Sequence, residues 1–546
     1  MTDRPSLEAL LGAYRPAVDA RVEDWRRRGV MERLLAHDTT LWSEQPMPEL
    51  DDRLGWLALP RVSEEVLGDW IGFAGAEREG GLERVVVLGM GGSSLAPEVF
   101  GRVLGDEGCL VVQDTTQPDA IAALADSLDV ERTLFVVSSK SGSTIETRTL
   151  FEYFWRRAGT DARDAGRRFV VVTDPGSQLE DLAAGRRVHR IFRAPEDVGG
   201  RYSALTAFGM VPAALAGVDI RELVARARRA ADDLVDAGRA GDHLVLGALL
   251  GELAIAGRDK LTLATSAELR SFPDWLEQLV AESTGKLGRG IVPVVGETLA
   301  APGSYGDDRL FVAVLTADDR GDELERHHRA LAEHGHPVVL ITLRDAYDLG
   351  FEMFRWEVAV ALAGSVMELN PFNQPNVQLA KEMAQKAIDG QSLGGSLGEM
   401  ERLEGAAASA RALAGWLPQG PPAYVAVQAY VEPGPTADRA LARLQGAIGR
   451  ATGCATPVGY GPRFLHSTGQ LHKGGPATAW CLQVTVDVAH DIDIPGESLS
   501  FGELIAAQAD GDAAALLDRN RPVARVHLSS TSELSRLADR VEEGTP

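Results

Sequence analysis

From Arg84 onward the chain alternates short, continuous apolar runs with stretches of helical texture. The runs are RVVVLGMGGSS, LVVQDT, TLFVVSSKSG, FVVVTDP and VHRIF. Uninterrupted apolar runs of this length, spaced by helices, predict strands of a parallel sheet with both faces covered. The same texture returns at KLTLATS, LFVAVLT and PVVLITL, which predicts a second α/β half, followed by the helix-like FRWEVAVALAGSVMEL. Residues 1–80 differ. They read as helical, with acidic and Arg-rich faces and with Trp25, Trp42, Trp56 and Trp70 as packing anchors. The Ala-rich stretch GAAASARALAGWLPQGPPA ends in Gly and Pro and reads as a boundary. Beyond it, YVAVQAYV, ADRALARLQGAIGRATG, WCLQVTVDV and ARVHLSS predict a smaller C-terminal α+β unit. The expected division is an N-terminal helical segment (1–80), two α/β domains (81–220 and 221–405) and the C-terminal unit (420–546).

Length supports that division, because 546 residues exceed what one hydrophobic core accommodates. The net charge of −24 disfavours nonspecific association with nucleic acid or an acidic membrane surface. It also means that an anionic substrate needs a locally positive pocket. Six lysines stand against 49 arginines, so a lysine marks a place where a compact, titratable ammonium matters. Lys140, Lys286, Lys381 and Lys473 all fall in segments singled out below. Cys109, Cys454 and Cys481 are scattered, with neither CxxC nor zinc spacing, which points to a reducing compartment. The first twenty residues do not read as a secretory signal, and no run approaches the roughly 20 apolar residues of a membrane span. A cytoplasmic protein is expected.

Candidate chemistry collects in a few segments. VVVLGMGGSSLAPEVF runs from strand through a Gly-rich turn to a helix start. Taken alone it is compatible with an anion site or with a connection that binds nothing, and it matches neither a dinucleotide fingerprint nor a Walker A loop. LFVVSSKSGSTIETRTLFEYFW is sharper. Ser139, Lys140, Ser141, Ser143 and Thr144 gather hydroxyls, main-chain donors and a cation at one helix start, enough to satisfy the three terminal oxygens of a phosphate monoester. Glu146 in the first turn reads as an ordinary response to the helix dipole. At GGRYSALTAFG, Arg201 alone would pass for a surface residue. In LEQLVAESTGKLGRG, Gln278 and Glu282 share a helix face, and Glu282 could be a poised general base or a plain helix-end carboxylate. In GYGPRFLHSTGQLHKGGP, His466, Gln470 and His472 could transfer protons or bind hydroxyls. His327, His328, His334 and His336 read as solvated. With no HExxH and no clustered carboxylates, proton chemistry falls to side chains.

The ordered set GMGGSSLAP, SSKSGSTIET, GGRYSALTAFG, QLVAESTGKLGRG and NPFNQPNVQLAK resembles glucose-6-phosphate isomerase over most of residues 40–400. The resemblance implies a fold of two sugar-isomerase (SIS-type) parallel-sheet sandwich domains. The implied activity is metal-independent aldose–ketose isomerisation, with no cofactor and a small sugar phosphate as partner. It implies that Ser139, Lys140, Ser141 and Thr144 hold phosphate and that Gly92 and Ser93 line the sugar site. Glu282 is implied as the C1–C2 proton shuttle, with Gln278 and Gln374 ordering the substrate. Arg201 would stabilise a cis-enediolate and Lys381 would assist ring opening. The ring-opening histidine is displaced: the best match, His466, follows Lys381 instead of preceding it. That order resembles the isomerase half of transaldolase–phosphoglucose isomerase fusions, and His472 competes for the role. Ordinary members take this histidine from a partner subunit, so the argument for an obligatory homodimer is weaker here. A dual phosphoglucose/phosphomannose isomerase and a non-catalytic sugar-phosphate sensor are the alternative readings.

Overall fold

A computed structural model describes residues 4–159, 165–236, 240–319, 321–388, 391 and 395–543. The stretch expected to be helical opens instead with a strand, β1 (Ser6–Leu10). Helices follow, and Trp25, Trp42, Trp56 and Trp70 are all buried. The first sheet holds β2 (Arg84–Gly89), β3 (Leu110–Gln113), β4 (Thr133–Ser138), β5 (Phe169–Thr173) and β6 (Arg190–Arg193), in the order β3-β2-β4-β5-β6 and parallel throughout. The Val-rich runs of β2, β4 and β5 are buried on both faces, which is why they do not alternate.

The second sheet contains β7 (Lys260–Thr265), β8 (Val292–Val295), β9 (Arg309–Thr316) and β10 (Val338–Leu343), in the order β1-β10-β9-β7-β8. β1 lies antiparallel on β10, with Ser6 opposite Thr342 and Leu10 opposite Val338. Pairing with an otherwise open sheet edge makes a strand of SLEAL, a pull that local pattern does not carry. The helix Leu349–Val366 is mostly apolar and buried along nearly its whole length, its Glu352, Arg355 and Glu357 included, so it serves as a central post.

The C-terminal unit has its own core and a third sheet. Its strands are β11 (Glu401–Glu404), β12 (Tyr424–Tyr430), β13 (Val458–Tyr460), β14 (Ala479–Val486) and β15 (Val523–Leu528), in the order β11-β15-β14-β12-β13. Every pairing is parallel, so this unit is α/β and not α+β. The edge strands ERLE and VGY are too short and polar to read as strands from sequence. His328 and His336, expected to be solvated, are buried. His328 Nδ1 lies 2.8 Å from the Leu324 carbonyl, and His336 Nε2 lies 3.0 Å from that of Pro302. No helix among the described residues is long and apolar enough to cross a membrane.

Candidate active site

β4 ends at Ser138, and residues 139–144 turn into the helix Ile145–Ala158. This turn is held both by its own side chains and by the end of β5, whose Thr173 hydroxyl donates to the Ser139 carbonyl at 2.7 Å. Ser139 Oγ accepts the Gly142 N–H at 3.1 Å and stands 3.4 Å from Thr144 Oγ1, and the Ser141 and Ser143 hydroxyls pair at 2.8 Å. Thr144 is the N-cap, but its side chain makes no capping bond, so the first-turn amides stay available to an anion. Lys140 is ion-paired with Asp174 and donates to the Glu196 carbonyl at 3.2 Å. Burial raises the Asp174 carboxyl above its ordinary value although Lys140 opposes this.

The turn after β2 carries Gly92 and Ser93. It touches the C-terminal unit at Gly91, which adopts φ +56°; a Cβ there would sit 2.6 Å from the His466 carbonyl oxygen. Only glycine permits both the conformation and the approach.

Glu282 lies in the last turn of the buried helix Phe272–Thr284 and is 5% exposed. Its Oε2 stands 3.2 Å from Arg201 Nε and accepts a 3.3 Å bond from Gln278 Nε2. Burial raises its pKa, while Arg201, His466, Lys286 and the Gln278 bond partly offset that rise. The guanidinium of Arg201 donates to the carbonyls of Pro371, Phe372 and Asn373 and to Gln374 Oε1 at 2.9 Å. The NPFNQP turn therefore aims Arg201. Lys286 braces that turn, donating to Asn370 O at 2.7 Å and Asn373 Oδ1 at 3.0 Å. Burial, followed by the Arg201 charge, pushes the Lys286 ammonium well below its ordinary pKa.

The two candidate histidines part company. His466 ends the short turn Arg463–His466, with Nε2 at 3.0 Å from Glu146 Oε1. Burial alone would raise Glu146, but the His466 charge and hydrogen bond outweigh it and hold the carboxyl below its usual range. His472 is buried against the Tyr424 hydroxyl at 3.1 Å. Burial, with Lys473 and Arg521 nearby, drives its pKa down to about 3, so it stays neutral. Gln470 also leaves the chemistry: it accepts from the Asn376 N–H and donates to the Gly285 carbonyl, both at 2.8 Å, tying two elements together. Lys473 is buried in an ion pair with Asp512.

A cavity of about 370 Å³ gathers these parts. Its walls include the acid–base candidates Glu282, His466 and Lys381, together with Arg201. The same walls carry Gly92, Ser93, Ser139, Lys140, Ser141, Thr144, Gln278 and Gln374. Lys381 enters on the helix Val377–Ile388. Sequence reasoning missed Glu146, whose first-turn position looked like a dipole effect and which binds His466 at the cavity's edge. It also missed Ser138, Thr147 and Asp174, which line the cavity. Ser138 Oγ, Thr147 Oγ1 and Gln278 Oε1 are buried with no partner among the described residues. Hydroxyl-bearing ligands satisfy such atoms.

A sequence profile of the family described as phosphoglucose isomerase matches residues 47–300. The glucose-6-phosphate isomerase of Rubrobacter xylanophilus is 31% identical over 386 residues, which is 61% of this chain and 89% of that protein. A glucose-6-phosphate isomerase of Thermus thermophilus is 30% identical over 392 residues, covering 62% of this chain and 90% of its own. Among solved structures, a hypothetical protein from Thermus thermophilus aligns with TM-score 0.60 at 27% identity, over 70% of this chain and all of that one. A glucose-6-phosphate isomerase from Chlamydia trachomatis gives TM-score 0.60 at 19% identity, over 71% of this chain and 89% of that one. At that identity the likeness is one of fold.

Proposed function

Because this chain belongs to the phosphoglucose isomerase family, we propose that it interconverts glucose 6-phosphate and fructose 6-phosphate through a cis-enediolate, using side chains alone for the proton transfers. The observation that carries this reading is the convergence, in one cavity, of a phosphate-type loop with a buried Glu282 held by Arg201. A sensor would need the loop. It would not need a carboxylate whose basicity has been raised by burial.

Ser139, Ser141 and Thr144, with the amides at the helix start, take the phosphate; Lys140 adds a charge partly neutralised by Asp174. His466 and Lys381 open the ring: one protonates the ring oxygen while the other accepts the anomeric proton. Glu282 then carries the proton between C2 and C1. When it takes that proton, its negative charge passes to the enediolate, and the fixed guanidinium of Arg201 is already in place to meet it. Gln278 and Gln374 order the open chain, and the unpartnered Gln278 Oε1 has an acceptor free for a sugar hydroxyl. The histidine comes from the same chain as Glu282, so a homodimer is not needed to complete the site. Three free, buried cysteines suit a cytoplasmic setting. The test is a coupled assay of purified protein on fructose 6-phosphate, with and without EDTA. Turnover in both supports the reading, and none in either refutes it.

A further inference from the structure

The C-terminal unit also braces the histidine that it supplies to the cavity. Its helix Phe501–Asp518 carries Gln508, which is 3% exposed and lies between two groups of the first α/β unit. Gln508 Nε2 donates to Glu146 Oε1 at 2.7 Å, and Gln508 Oε1 accepts from the Thr116 hydroxyl at 2.7 Å. The first bond fixes the amide orientation, since a carboxylate only accepts and needs the NH2 group facing it, and the Thr116 hydroxyl then donates to the oxygen left on the other side. Oε1 of Glu146 is thus shared by Gln508 and by His466 Nε2. A carboxylate on a flexible two-carbon stem is held in place by such an anchor, and a carboxylate held in place fixes the ring it binds.

The same helix also supports Lys381. It packs so closely on the helix Val377–Ile388 that a Cβ at Gly511 would lie 2.5 Å from the Ala384 amide nitrogen. Both ring-opening candidates therefore rest on one helix, by different routes.

We infer that Gln508 is a positioning residue for ring opening: anchored by Thr116, it locks the Glu146 carboxylate and, through it, the His466 imidazole. This rests on the reading of His466 as a ring-opening group. Gln508 touches no reacting atom, so its effect belongs to the step that needs an aligned imidazole and not to phosphate binding or to Glu282 chemistry.

The experiment compares fructose 6-phosphate with 5-deoxyfructose 6-phosphate, which lacks the hydroxyl that closes the ring and so stays open. Gln508→Met keeps the volume and removes the amide. It should lower kcat on fructose 6-phosphate about tenfold, with KM and turnover of the open substrate within about twofold of the parent. Thr116→Val, which frees the amide from the other side, should show the same selectivity at about threefold, and it carries the test if Gln508→Met does not fold. His466→Ala, run alongside, separates the two readings. Equal loss on both sugars in His466→Ala removes the ring-opening role and the inference with it. Selective loss in His466→Ala, but parent-like or unselective behaviour in the Gln508 and Thr116 variants, overturns the inference alone.

Discussion

The phosphate-type loop and the histidine segment meet in one cavity but are built by different means. The hydroxyls of residues 139–144 are set by bonds between positions two to five apart, and the backbone at Ser139 and Lys140 is held by the end of the adjacent strand β5, at Val172, Thr173 and Asp174. The segment 463–474 is held from outside. Arg463 pairs with Glu98 and, at 3.0 Å, with Asp114; Ser467 Oγ reaches Glu277 at 3.3 Å; Gln278 donates to the His466 carbonyl at 2.8 Å. Those partners lie 188 to 365 residues away. A ligand-binding turn held by itself and by the next strand of its own sheet forms together with that sheet. A proton-transfer group that has to face a base on another element depends on docking, and docking is where its precision is vulnerable.

The largest effect should fall on the residue that both regions serve. Glu282→Gln is expected to lower kcat about 10³-fold, with sugar-phosphate binding retained in a direct titration. In the parent, burial raises the Glu282 pKa, and the base must be ionised to act. The acid limb of kcat/KM should therefore lie above the ordinary glutamate value of 4.5, with activity falling as pH drops through it. A limb at or below that value would show the carboxyl to be better solvated than its surroundings indicate.

Arg463→Met breaks the comparison from the docked side. It leaves Asp114 buried without its cation and Glu98 with Arg102 alone, at a cost of about 3 kcal/mol of stability by denaturant titration. Turnover should fall, and KM should hold. A rise in KM instead would mean that the histidine segment also shapes the phosphate end.

The complementary variant, Lys140→Ala with Thr144→Ala, should raise KM about tenfold and leave kcat nearly unchanged, because phosphate binding is common to ground and transition states. An unaltered KM would move the phosphate elsewhere.

The smallest effect concerns Glu277. Burial, with Asp274 nearby, raises its pKa to about 8. Between the unfolded value near 4.5 and 8 the folded state holds the extra proton, so this group's contribution to stability declines as pH rises through that window. Glu277→Gln should consequently stabilise the protein by about 1 kcal/mol at pH 8 and by little at pH 5, read as Tm at both. Equal shifts would assign the effect to packing.

What could be read in advance follows the same division. The loop at Ser139–Thr144 and the Gln278–Glu282 face were legible because their geometry is local. Glu282's burial was not, since it depends on Arg201 and on a turn near residue 373. Separating His466 from His472 needed the fold. Gln470, four residues beyond His466, serves as a brace, and what distinguishes the two rings is Glu146 beside one and Tyr424 beside the other. Gln508 carried no signal, as one amide in an Ala-rich helix resembles any other. β1, β8, β11 and β13 were missed because edge strands take their conformation from the neighbour they pair with.

The register of β1 has a consequence in time. Leu10 pairs with Val338 and Ser6 with Thr342. At ribosomal rates of about 5–20 residues per second, the partner is made on the order of half a minute after the strand itself. Through that interval SLEAL is an unpaired strand, the kind of segment that templates association between chains. It is five residues long and carries Glu8 at its centre, a charge that ends 2.8 Å from Arg329 in the folded protein. The same carboxylate that later joins the surface can keep the waiting strand apart from its copies on neighbouring ribosomes. Replacing Glu8 with valine should therefore show itself first as insoluble product during synthesis, before any loss in the mature enzyme's melting temperature.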